Sequence, residues 1–306
     1  MTNASLRRPN QILIALNTLA LVALIAFFMG AWKGGKADAG APLQRVRSVN
    51  LDKPFTFCGE TFPMDNWDVR QRMDAELLRN IYFHSHALLA IKRANALFPI
   101  IEPILKEEGA PDDLKYLAVA ESNLSNAVSP AGARGVWQFM KSTAAEYGLE
   151  VNAEVDERYH LEKATRAACR YMKAEYKRQG SWIVAAAAYN GGPGRISEEM
   201  RKQRAKTFFD LNLAADETMR YPFRIAAIKE VMENPEEYEY FVEPDHLYPP
   251  LKHYKTVKVS GPVESWADFA AQYNMSYRMF KLYNPWLIDS KLTKKAGETY
   301  EVKVAE

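Results

Sequence analysis

Within the chain's 306 residues, one carboxylate is set apart by its position. In ESNLSNAVSPAGARGVWQFMKSTAAEYGL, residues 121–149, Glu121 ends a predicted helix, and a glycine-containing loop and a polar Gln138 inside an apolar run follow it. Further on, AAYNGG (187–192) sets Tyr189 and Asn190 at the end of another helix. On the helix predicted from Pro111, Leu114, Leu117, Ala118 and Glu121 stand at i, i+3, i+4 and i+7 and share one face. The carboxylate therefore extends an apolar stripe, and it sits in the last turn, where the helix dipole is negative. Burial and dipole both disfavour its ionisation. A carboxylic acid still protonated near neutral pH is what protonation of a glycosidic oxygen requires.

The segment supplies no second acid close by; the next carboxylate along the chain is Glu146. Two-carboxylate glycosidases need a partner at one of two separations, so a lone acid points to a substrate that provides its own nucleophile. Asp156, Glu157 and Arg158 precede a helix and read as capping and ion pairing. His84 and His86, two apart on a helix, point in different directions and make a poor metal pair. With no Gly-rich phosphate loop and no G-x-S-x-G elbow, neither cofactor nor metal is called for. A net charge of +2 with scattered Lys and Arg excludes a nucleic-acid partner. Cys58 and Cys169 match no zinc or redox motif; one bridge and two separate buried thiols both fit.

The elements around these residues are predominantly helical. From Asp65 to Glu108, Val69, Met73, Leu77 and Ile81 recur every fourth residue, and Leu88, Leu89, Ile91, Leu97 and Ile101 continue the apolar face. Pro99 and Pro103 are expected to start or kink helices rather than lie inside them. Pro111-Asp112-Asp113 starts the Glu121 helix. Further helices are expected over Glu162–Gln179, over the Ala-rich stretch from Trp182 to Tyr189, and over Asp216–Glu233, with Asn190-Gly191-Gly192-Pro193-Gly194 as an abrupt stop. After the stiff connector of Pro244, Pro249 and Pro250, alternation over Tyr254–Val259 and Thr299–Val304 brackets two short helical patterns, giving a strand–helix–helix–strand unit.

At the N-terminus, Arg7 and Arg8 precede an uncharged apolar run from Ile12 to Met29, long enough to span hydrocarbon. An uncleaved signal-anchor is the first expectation; cleavage near Ala37-Asp38-Ala39 is the alternative. The expected organisation is an anchor or signal over 1–30, a linker over 31–54 and a helical extension over 55–105. A catalytic domain over 106–243, a connector over 244–253 and the small module over 254–306 complete it.

The stretch PDDLKYLAVAESNLSNAVSPAGARGVWQFMKSTAAEYGL, with AAYNGGPGR and DETMRYPFRIAAIKEV after it, resembles the lytic murein transglycosylases of the Slt/MltD type, glycoside hydrolase family 23. The resemblance covers roughly residues 100–235. It implies a mainly α, lysozyme-like domain in which Glu121 of the E-S motif is the sole catalytic acid and base. Substrate contacts fall on Ser122, on Gly135, Gln138 and Met140 of the G-x-x-Q-x-M stretch, on Ala188, Tyr189 and Asn190 of A-Y-N, and on Tyr221. The family often has Pro where this chain has Lys141. The implied reaction cleaves the β-1,4 bond between N-acetylmuramic acid and N-acetylglucosamine of peptidoglycan strands without water, leaving 1,6-anhydro ends. A goose-type lysozyme-like hydrolase and a silent wall-binding scaffold are the rivals. Residues 254–306 resemble a divergent LysM module in which GPVES (261–265) replaces the usual Gly-Asp-Thr turn. A monomer in the periplasm, held to the inner membrane by residues 12–29, is the expected setting.

Overall fold

The computed structural model describes Thr18 and residues 20–22, 46–293 and 299–306. The expected anchor, residues 12–29, thus lies almost wholly outside the described residues, and no helix among those described is long and apolar enough to cross a membrane. The chain divides into two units, Met1–Ser48 and Val49–Glu306. The second contains everything that follows.

It opens with a hairpin, β1 (Thr56–Phe57) and β2 (Glu60–Thr61), in the register Phe57↔Glu60. Cys58 (φ 52°) and Gly59 (φ 81°) both adopt the left-handed conformation that a two-residue primed turn requires. Next come α1 (Trp67–Tyr82), α2 (His84–Glu107) and α3 (Leu114–Ser122). After the loop over 123–140 stand α4 (Lys141–Glu146), α5 (Leu161–Gln179), α6 (Trp182–Gly191), α7 (Pro193–Lys202) and α8 (Asp216–Glu233). The C-terminal module is β3 (Tyr254–Ser260), α9 (Trp266–Ala271), α10 (Tyr277–Tyr283) and β4 (Thr299–Ala305), the βααβ order expected. Its strands pair antiparallel, with Val257 opposite Val302.

The prolines correct one expectation: Pro99 and Pro103 both lie inside α2. Two missing N–H groups are a small loss over 24 residues when Ala90, Ala94, Ile101 and Leu105 of the same helix are buried in the core. Packing overrides the local penalty. Cys58 and Cys169 are separate free thiols.

Helix α8 occupies the middle of the body, packed on α1, α3 and α6. Its seat on α1 is polar as well as apolar. Buried Glu76 accepts from Arg220 Nε at 2.6 Å and from Arg79 at 2.6 Å. Arg72 donates to the Met219 carbonyl at 2.7 Å and lies 4.2 Å over the Phe223 ring. Helix α6 can come close to its neighbours because Ala185, Ala186, Ala187 and Ala188 are fully buried and small. The hairpin fixes its start: the Glu60 carboxylate accepts from the Ser181 hydroxyl (2.6 Å) and from the N–H groups of Trp182 (2.5 Å) and Ile183 (3.1 Å). A negative charge at a helix N-terminus that also satisfies orphan donors is stabilising on both counts. Glu60→Ala is accordingly expected to lower the unfolding free energy by about 1–3 kcal/mol in urea titration, through lost charge-assisted capping bonds.

Candidate active site

Glu121 stands one residue before the end of α3, on the side defined by Leu114, Leu117 and Ala118, all fully buried. The helix stops there because Asn123 (φ 51°) and Leu124 (φ 56°) both turn left-handed. Asn123 holds that turn by donating its side-chain amide to the His86 carbonyl at 3.1 Å and accepting, at its own carbonyl, from Arg93 at 2.8 Å. Glu121 as a whole residue is partly exposed, while its carboxyl accepts a hydrogen bond from the Tyr221 hydroxyl, reaching across from α8. Burial pushes its pKa up to about 7; the Tyr221 bond and the Arg224 guanidinium pull the other way, and Glu217 adds a smaller push upward. Burial decides the sum, so the group exchanges its proton near neutrality. Tyr189 and Tyr221 are both held well above the ordinary phenol range by burial and by the Glu121 charge, and stay protonated donors.

A loop faces this acid, tied to it from both flanks. Ser122, next to Glu121, donates its buried hydroxyl to the Val136 carbonyl at 2.8 Å. Tyr189 at the end of α6 donates to the carbonyl of Trp137 at 2.6 Å. Trp137 is itself fully buried, with its indole N–H on the Thr165 hydroxyl at 2.9 Å. Gln138 then emerges in a left-handed conformation (φ 50°) that few non-glycine residues adopt. Its side-chain N–H groups go to the carbonyls of Ala127 (3.0 Å) and Gly135 (2.7 Å), so both amide hydrogens are committed to backbone. Gly135 is required for a second reason besides its φ of 79°: a Cβ there would stand 1.9 Å from the Arg158 carbonyl oxygen. No side chain fits.

The other residues singled out in the sequence take different structural roles. Asn190 is held by Thr218, whose hydroxyl donates to its Oδ1 at 2.9 Å, and Gly191 packs against the same Thr218. Ala188 is fully buried and serves as packing, while Met140 is 43% exposed at the start of α4. Ser122 is committed to backbone and shapes the loop instead of facing outward. Two residues went unnoticed in the sequence, Arg224 and Thr218, and a third, Arg158, was read there only as part of an ion-pairing cluster. Arg224 lies over the Tyr221 ring at 5.4 Å, pairs with Glu217, and has a buried Nε with no hydrogen-bond partner among the described residues. Thr218 and Arg158 orient Asn190 and the loop. Thr218 and Arg224 stand three residues on either side of Tyr221 on α8, so helical spacing from that residue would have found them. A cavity of about 670 Å³ opens between this body and the C-terminal module; it is lined by Tyr159, Trp286 and Lys303 among others and does not include Glu121, Tyr189 or Tyr221.

Residues 98–212 match the family described as Transglycosylase SLT domain, and residues 255–306 match the family described as Soluble lytic transglycosylase C-terminal LysM-like domain. Membrane-bound lytic murein transglycosylase D of Escherichia coli strain K12 is 29% identical over 193 residues, 60% of this chain and 42% of that protein. The same protein from E. coli O6:H1 gives the same figures, so the chain spans about two fifths of the length of these two relatives. The solved structure of an inactive mutant of lytic transglycosylase Slt from Pseudomonas aeruginosa is 21% identical with a TM-score of 0.37, covering 50% of this chain and 26% of that one. Tyr221, which bonds the acid, lies beyond the matched 98–212 segment, as do α1 and the hairpin. The chain thus carries an SLT domain related to that of lytic murein transglycosylase D and, after it, a LysM-like C-terminal domain.

Proposed function

We propose that the protein is a peptidoglycan lytic transglycosylase, with Glu121 as its one acid and base. The observation that carries this reading is a carboxyl buried to a pKa of about 7 with a single phenol on it. Protonated, Glu121 gives its proton to the glycosidic oxygen leaving C1 of N-acetylmuramic acid. Ionised, it takes the proton of the same sugar's C6 hydroxyl as that oxygen attacks C1, closing the 1,6-anhydro ring and regenerating the acid without water. Gln138 accepts from sugar hydroxyl or acetamido N–H, while Tyr189 and Asn190 shape the wall opposite. The C-terminal domain and the N-terminal apolar run support a setting in the cell envelope, with residues 12–29 as an inner-membrane anchor and the enzyme facing the periplasm.

Glu217 gives the hydrolytic alternative its one foothold, because it is a second carboxylate whose charge reaches Glu121. It is exposed and paired with Arg224, which suits a structural role. Purified protein is expected to release anhydromuropeptides from sacculi, one water lighter than hydrolysed ends by mass spectrometry. Glu121→Gln should lose activity by about 10²–10⁴-fold, and Glu217→Gln should keep most of it. Reducing ends as product, or equal loss in both variants, would favour two-carboxylate hydrolysis.

The pH behaviour carries a definite sign. The rate should fall as pH rises through about 7, where Glu121 loses its proton. Tyr221→Phe removes a bond to the ionised form, so the alkaline limb should move to higher pH while the maximal rate drops. Stability obeys the same linkage. The folded-state pKa of about 7 lies above the ordinary 4.5, so the native state holds an extra proton between those values, and this contribution is lost as pH rises through 7. Glu121→Gln removes that loss. By urea unfolding it should therefore exceed the wild type by up to about 3 kcal/mol at pH 8 and match it near pH 4.

A further inference from the structure

The C-terminal module reaches the catalytic loop through a strap of the body, residues 154–158. Val155 belongs to the catalytic body in sequence, yet its side chain is fully buried in the module's core with Trp266, Phe280, Trp286 and Leu287. Backbone pairing surrounds this plug: Val155 bridges Leu287, Asp156 N–H donates to the Trp286 carbonyl at 2.8 Å, and Ile288 N–H donates to the Glu154 carbonyl at 2.9 Å. The Glu154 carboxylate also accepts from Thr293 N–H at 2.8 Å.

The other end of the strap grips the loop. The Asp156 carboxylate, 2% exposed, binds the Arg158 guanidinium in a fork, Nε at 2.8 Å and Nη2 at 2.7 Å. The remaining arm of Arg158, Nη1, donates to the carbonyls of Gly132 (3.1 Å) and Phe139 (3.3 Å), the two ends of the segment that presents Gln138. Its backbone carbonyl fills the space over Gly135. A planar, forked cation with all three nitrogens hydrogen-bonded has little freedom, so the loop between residues 132 and 139 takes its shape from where Asp156 is held. Asp156 is held, in turn, by Trp286.

We infer that the module is a positioning element for Gln138: docking Val155 and Asp156 fixes Arg158, and Arg158 sets the catalytic loop. Asp156 and Arg158 are positioning residues, with no contact to the reacting sugar. The activity arm of the test rests on the transglycosylase function proposed above; the exchange arm does not.

Two variants of the full chain test this. Val155→Asp puts a charge in the module's core and undocks the strap. Arg158→Lys keeps the charge opposite Asp156, leaves the docking surface untouched and removes the fork. In both, hydrogen exchange by mass spectrometry should speed up about tenfold or more at the amides of Arg134, Gly135 and Gln138, with α6 amides unchanged. On sacculi, kcat should fall about 10- to 100-fold with KM within about twofold of wild type. Unchanged loop exchange in Arg158→Lys overturns the inference even if Val155→Asp fails to fold, and so does a loss confined to KM. Normal loop loosening in a protein that makes no anhydro product would leave the positioning role standing and remove the proposed function instead.

Discussion

The arrangement depends on keeping the Glu121 carboxyl out of water with one neutral donor on it. A carboxylate there would ordinarily gather solvent or a cation and ionise; instead it meets a phenol that burial keeps protonated. This balance needs Tyr221 at a fixed height, and that requirement explains the investment around α8. Glu76 and Arg72 of α1 clamp the turn of α8 that carries Met219, Arg220 and Tyr221. The N-terminal helices are thus part of the acid's environment, although they lie largely outside the segment that matches the family. Arg224 and its ion-pair partner Glu217 act on the acid in opposite directions, the guanidinium lowering its pKa and the carboxylate raising it.

The second constraint is the loop between residues 132 and 139, whose backbone is unfavourable by itself. Gly135 and Gln138 are both left-handed, and Gln138 has a side chain to accommodate there. The cost is met by convergence. Ser122, next to the acid in sequence, and Tyr189, which feels the acid's charge, hold residues 136 and 137, and Arg158 holds both ends. Acid and acceptor are then placed by the same small set of bonds, and a shift in either is felt by the other.

Much of this was legible in the sequence where the signal is local. The face shared by Leu114, Leu117, Ala118 and Glu121 follows from helical spacing, and the structure keeps it. The glycine at 135 is marked by its motif, though the carbonyl that excludes a side chain comes from residue 158 and leaves no local trace. Tyr221 is a hundred residues from Glu121 and could be placed only through resemblance. Asp156 and Arg158 read correctly as an ion pair, yet their burial depends on a module that begins almost a hundred residues later, so their hold on the loop was invisible. The prolines of α2 failed for the converse reason: propensity is local, and burial on both sides of them is not.

The central claim is that Glu121 titrates near neutrality in the folded protein. Infrared difference spectroscopy of wild type against Glu121→Gln, across pH 4 to 9, observes that carboxyl by its protonated C=O stretch. A band that persists through pH 6 and disappears with a midpoint near 7 is the expected result. A midpoint near the ordinary 4.5 would contradict it, since the acid would then be ionised when the bond must break.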